Sequence, residues 1–271
     1  MENLTDYYKN ITSQAGEDGI IAEILQRMKI EKGNFCEFGS HNGILFANTK
    51  VLADKGWNGC YIEASSQHFG KLVENYKNYP NIVCVKSMVG EKNAIGETTK
   101  VMEYSLDYLM KKHFDKPLDI ISLDTDGGEY EIFRNIKKYI PKLIIIECNP
   151  FRHPLDKEYY GYVIGDCQES LFVMNKLAEE KGYKILLWTQ NMFFIKKEYY
   201  YLFDVSTDLM ELFEQGFRRC YVQNSVEARI HRQFTRMSSK RFDFQETQWL
   251  RDIHNKYKHE HCKYLDPDKA E

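Results

Sequence analysis

Carboxylates and one carboxamide follow the short apolar runs of this chain: Glu37 in NFCEFGSHNG, Glu63 in CYIEA, Asp124 and Asp126 in IISLDTDGG, Glu147 and Asn149 in IIIECNP. In an open parallel sheet, ligands bind beyond the carboxyl ends of the strands, so acids at those places are the residues positioned for chemistry. Glu63 stands twenty residues after Gly43. An acid there can accept hydrogen bonds from both hydroxyls of a ribose. Glu37 precedes a turn carrying Gly39 and Gly43, where a carboxylate suits an ammonium group and repels a phosphate. A dinucleotide fingerprint would need its second glycine where His41 stands, which weakens a pyrophosphate reading. A ligand combining ribose hydroxyls, an ammonium and a sulfonium cation is S-adenosyl-L-methionine.

Asp124, Asp126, Glu147 and Asn149 would lie close together if their strands are neighbours, and hard oxygen ligands of this kind suit Mg²⁺, Mn²⁺ or Ca²⁺. Bound beside an acceptor hydroxyl, such a metal would stabilise the alkoxide. Without a metal, Asp124 or His153, in NPFRHP, could take the proton as general base. DTD also matches the DxD with which glycosyltransferases hold a metal and a sugar nucleotide, although Glu37 and Glu63 would be poor neighbours for a diphosphate.

These residues need a scaffold, and the pattern supplies one. Apolar runs NFCEF, CYIEA, NIVCVKS, LDIISLD and KLIIIEC alternate with helical stretches such as SQHFGKLVENYKNY, the rhythm of a parallel sheet buried on both faces. EDGIIAEILQRMK, residues 17–29, sets Ile20, Ile21, Ile24, Leu25 and Met28 on one helical face, with acids at its positive end. ESLFVMNKLAEEKGY predicts a helix stopped near Gly182, followed by strands KILLWTQ and NMFFIKK. From about Asp208 the sequence turns charged, aromatic and helical. The expected organisation is a domain over 1–205 and a helical extension over 206–271.

A chain of 271 residues, 43% hydrophobic, can bury one sizeable core. Its net charge of −3 gives no global attraction to nucleic acid or to an anionic membrane. The N-terminus has no apolar leader, and no run approaches the length of a membrane span, so a cytoplasmic protein is expected. Seven cysteines stand singly with no CxxC pair, which predicts reduced thiols and no zinc ribbon.

The segments SQAGEDGII, EFGSHNGILFANT, KGWNGCYIEAS, SLDYL, LDIISLDTDGGEY, PKLIIIECNP and EKGYKILLWTQNMFFIKKE, in that order, resemble the FkbM-type methyltransferases of the class I, Rossmann-like fold. The resemblance implies a sheet ordered 3-2-1-4-5-7-6 and bound S-adenosyl-L-methionine. It also implies methyl transfer to an oxygen, often a sugar hydroxyl in glycan or natural-product biosynthesis. Carried over by position, Glu37, Gly39, Asn48 and Thr49 would surround the methionine part, Glu63 the ribose, and Ser87 and Met88 the adenine. Gln14 would close over the cofactor. The acids after strands four and five are similar to those of metal-dependent O-methyltransferases, with Cys148 separating a pair that is usually adjacent.

The expected acceptor is a small molecule or saccharide, with or without a phosphate. Arg218, Arg219, Arg229, Arg232, Arg236, Lys240 and Arg241 would then form a rim gripping its phosphate, or else a solvated helix face. His254, His259, His261 and Cys262 fit no standard zinc spacing. The alternatives to an O-methyltransferase are a metal-dependent glycosyltransferase and a catalytically inactive cofactor-binding module.

Overall fold

The computed structural model describes residues 3–89, 105–125, 127–148, 152–159, 169–222 and 252. Seven strands form one sheet in the order β3-β2-β1-β4-β5-β7-β6. They are β1 (Asn34–Phe38), β2 (Asn58–Glu63), β3 (Ile82–Lys86), β4 (Ile120–Leu123), β5 (Leu143–Glu147), β6 (Tyr183–Trp188) and β7 (Asn191–Lys196). The first five run parallel, and β7 pairs antiparallel with both β5 and β6. This is the order the family resemblance implies, with the mostly parallel character the alternating pattern predicts.

Each strand reads as it does because of its place in that order. All four residues of central β4 are buried, as an uninterrupted apolar run requires, while the edge strand β3 is mostly half-buried. Helix α1 (Glu17–Arg27) lays Ile20, Ile21, Ile24 and Leu25 on one face of the sheet, together with Phe35, Trp57, Tyr61 and Ile145. The opposite face carries α4 (Leu106–His113), α5 (Glu129–Asn135) and α6 (Leu171–Glu180), packed through Leu109, Phe133 and Leu177 among others. Helices α2 (Lys50–Asp54) and α3 (Ser66–Tyr76) return the chain from β1 to β2 and from β2 to β3.

Beyond β7, the chain forms helix α7 (Leu209–Val222), which packs on β6. Phe213 and Phe217 are buried there, and the Phe213 ring lies 4.3 Å from that of Trp188. Gly216 permits the approach, since a Cβ at that position would lie 1.7 Å from the Trp188 carbonyl oxygen. The side chains of Arg218 and Arg219 and the remaining basic and histidine clusters fall outside the described residues.

Cys36, Cys60, Cys84 and Cys148 are free thiols inside the sheet region. Burial pushes Cys84 up to about 11 and Cys148 up to about 12, so both stay protonated and act as small apolar side chains at neutral pH. Among the described residues no helix is long and apolar enough to cross a membrane.

Candidate active site at the carboxyl ends of the strands

Strand register brings the predicted acids to one level. Phe38 pairs with Ile62 and Leu123, and Leu123 pairs with Ile146, so Gly39, Glu63, Asp124 and Glu147 emerge side by side from β1, β2, β4 and β5. A cleft of about 570 Å³ opens over these ends. Gln14, Glu37, Gly39, Glu63, Ser87, Met88, Asp124 and Glu147 all line it. Gly39 could be no other residue: its φ is +61°, and a Cβ would sit 1.6 Å from the Asp124 carbonyl oxygen.

Glu37 is buried and holds the far end of its own turn. It accepts the backbone N–H groups of Asn48 and Thr49, each at 3.0 Å, and the Thr49 hydroxyl. Asn48 in turn donates its side-chain amide to Ser122 Oγ at 3.0 Å on β4. Asn48 and Thr49 are therefore placed behind Glu37 rather than on the cleft wall. Burial pushes the Glu37 carboxyl up to about 7, against the pull of those three hydrogen bonds, and Asp124 nearby adds to the rise.

Glu63 ends β2 with each oxygen taking one backbone donor, His41 N–H at 2.8 Å and Ser65 N–H at 2.7 Å. A carboxylate offers about four acceptor positions, so this leaves room for two ribose hydroxyls. Ser87 and Met88 follow β3 directly, with Met88 42% exposed at the cleft edge.

Gln14 is presented by a loop knotted on two buried acids. Asp18 gathers the backbone N–H groups of Ile11, Thr12 and Ser13 at 2.7 to 2.8 Å. Glu17 accepts from Ala15 N–H, Thr189 Oγ1 and the Asn191 amide, tying the loop to the β6–β7 turn and to the start of β7. Thr12 donates its hydroxyl to the Ala47 carbonyl at 3.0 Å, which joins this loop to the β1 turn.

On the other side, the LDTDGG turn is shaped by Glu129, which sequence reasoning passed over. Its Oε1 accepts from Thr125 N–H, Thr125 Oγ1 and Gly127 N–H at 2.9, 2.9 and 3.1 Å. Its position directly after the glycine pair Gly127-Gly128 was the available signal. Asp126 and Asn149 lie outside the described residues. Among those described, no group of three or more histidine, cysteine or acidic side chains could hold a metal. His153 is exposed, its Nδ1 accepting Leu155 N–H at 3.2 Å, and the structure does not place it on the cleft wall. His41 and His68, also passed over as site residues, do line it.

A sheet of this order, with a glycine turn and acids at its strand ends, defines the S-adenosyl-L-methionine-dependent methyltransferase fold. Residues 63–185 match the methyltransferase FkbM domain. The span includes Glu63, Asp124 and Glu147; Gln14, Glu37 and the β1 turn precede it. No curated protein matches the sequence.

Solved structures with similarity include a putative caffeoyl-CoA O-methyltransferase from Staphylococcus aureus, at 16% identity over 65% of this chain and 81% of that one, with TM-score 0.41. TrmK of M. capricolum, in complex with S-adenosyl-homocysteine, matches at 11% identity over 89% and 96%, with TM-score 0.41. A putative sarcosine dimethylglycine methyltransferase from Galdieria sulphuraria matches at 10% identity over 91% and 80%, with TM-score 0.43.

Proposed function

We propose that this chain transfers a methyl group from S-adenosyl-L-methionine to an oxygen of a sugar or phosphorylated saccharide. The observation that carries the reading is the alignment of Gly39, Glu63, Asp124 and Glu147 along one cleft. The cofactor supplies an electrophilic methyl on a sulfonium. Glu63 would hold the ribose hydroxyls, Glu37 would face the ammonium, and Gln14 would close the cleft against water. Ser87 and Met88 would flank the adenine. Asp124, which lines the cleft, would accept the proton of the acceptor hydroxyl as its oxygen bonds to the methyl carbon and the carbon–sulfur bond breaks. The base role falls to Asp124 over His153 because Asp124 lines the cleft.

Asp124 and Glu147, joined by Asp126 and Asn149, would be the ligands of an Mg²⁺ or Mn²⁺ ion, whose part would be to stabilise the alkoxide. The described residues alone do not complete such a site. Incubation with methyl-labelled cofactor and a panel of glycans and sugar phosphates, read by mass spectrometry with and without EDTA, tests both parts. The expected outcome is a mass gain of one methyl on a hydroxyl-bearing saccharide. Loss in EDTA with recovery in Mg²⁺ would establish the metal; full activity in EDTA would leave Asp124 as the base.

A further inference from the structure

Between Gly39 and Thr49 the chain enters the left-handed region four times, at Gly39, His41, Gly43 and Phe46, with φ of +61°, +49°, +72° and +60°. Glycine occupies two of these positions without strain. A side chain at the others is strained. For His41 there is a second cost: its Nδ1 is buried with no hydrogen-bond partner among the described residues.

The fold fixes where the imidazole goes. Glu63 binds the His41 backbone N–H with one oxygen and the Ser65 N–H with the other. Ser65 is the N-cap of α3, its Oγ accepting the His68 N–H. One carboxylate therefore sets both the strained turn and the helix start, and the two rings meet with centroids 3.8 Å apart at 42°. The pair lines the same cleft as Glu63, Ser87 and Met88, with the His41 N–H held by Glu63. Two half-buried imidazoles in contact do little for the core, and neither belongs to the apolar clusters on the sheet faces.

We propose that the His41–His68 pair is a binding platform for the adenosyl group, two rings in contact that offer an aromatic face on which the nucleoside stacks while Glu63 holds its ribose. Stacking of a base on an aromatic ring is a substantial source of affinity and accounts for a strained, polar-orphaned side chain at this position. The inference rests on the cofactor reading above.

Calorimetric titration with S-adenosylhomocysteine and with adenosine, paired with thermal denaturation, separates the possibilities in four proteins: wild type, His41→Gly, His68→Ala and His68→Phe. The platform predicts that His41→Gly melts at or above the wild-type temperature yet binds both ligands about tenfold more weakly. His68→Ala should lose a similar factor, and His68→Phe, which keeps a flat ring, should lose less than His68→Ala. Wild-type affinity in His41→Gly and His68→Ala, or a His41→Gly melting point several degrees below wild type, would overturn the proposal while leaving the cofactor reading intact. A wild-type protein that binds neither ligand would overturn both.

Discussion

On the β1–β2 side of the cleft, carboxylates are gripped by backbone: Glu37 by the N–H groups of Asn48 and Thr49, Glu63 by those of His41 and Ser65. On the β4–β5 side, Glu129 takes that work in the turn, and Asp124 and Glu147 stand as neighbours at paired strand ends. The first half is organised as a cradle whose acids shape the loops that would surround a ligand. The second brings two acids to one point, where a proton or a cation could be handled. Binding and chemistry should therefore separate under mutation.

The largest separation is expected at Asp124. Asp124→Asn preserves size and should lower kcat by about 10²–10⁴, the usual contribution of a general base, with affinity for S-adenosylhomocysteine within about twofold of wild type. Single-turnover kinetics and calorimetry on the same preparation check this. Equal loss in both would mean that the β4–β5 side is part of the cradle.

A smaller effect, of opposite sign in two measurements, is expected from Glu37. Its carboxyl is pushed up to about 7 by burial, so the folded state holds that proton more tightly than the unfolded chain does. Its contribution to stability is thus fullest below about pH 4.5 and declines as pH rises towards 7, by at most about 3 kcal/mol. An ammonium beside it favours the charged form. Cofactor affinity should accordingly fall as pH drops below 7, with a proton released on binding. Denaturation and calorimetry in buffers of differing ionisation heat test the two trends, and Glu37→Gln should flatten both. Affinity that is constant from pH 6 to 8 would place the ammonium elsewhere.

The smallest effect concerns Phe46, 54% exposed at the cleft edge with φ +60°. Phe46→Gly should relieve about 1 kcal/mol of backbone strain and raise the melting temperature by roughly 2–4 °C. A fall would show that the side chain, exposed as it is, holds the turn.

Much of this was legible in the chain. Runs such as IISL and LIIIE, apolar at consecutive positions, gave β4 and β5 because a buried strand in a parallel sheet is covered on both faces. Register then delivered Glu63, Asp124 and Glu147 to one cleft, since each acid ends its run at the same relative point.

The buried hydrogen bonding was less visible. Glu17 and Asp18 read as acids complementing the positive end of a helix, but they are 0% and 4% exposed and tie down a loop through partners as distant as Asn191. Glu129 was overlooked for the same reason, because which backbone N–H a carboxylate collects depends on how a turn closes. His41 and His68 stand twenty-seven residues apart, and their contact follows from Glu63 holding the His41 and Ser65 N–H groups while Ser65 caps the helix that carries His68, which spacing alone does not express.

The most direct test of the central claim, that the cleft holds S-adenosyl-L-methionine with Glu63 on its ribose, is a calorimetric titration of S-adenosylhomocysteine into the wild type and Glu63→Ala. A UDP-sugar with Mn²⁺ serves as the competing ligand. The expected result is saturable one-to-one binding to the wild type, at least tenfold weaker binding to Glu63→Ala in line with a lost charged hydrogen-bonding pair, and no heat from the sugar nucleotide. Unchanged affinity in Glu63→Ala, or binding of the sugar nucleotide in place of S-adenosylhomocysteine, would contradict it.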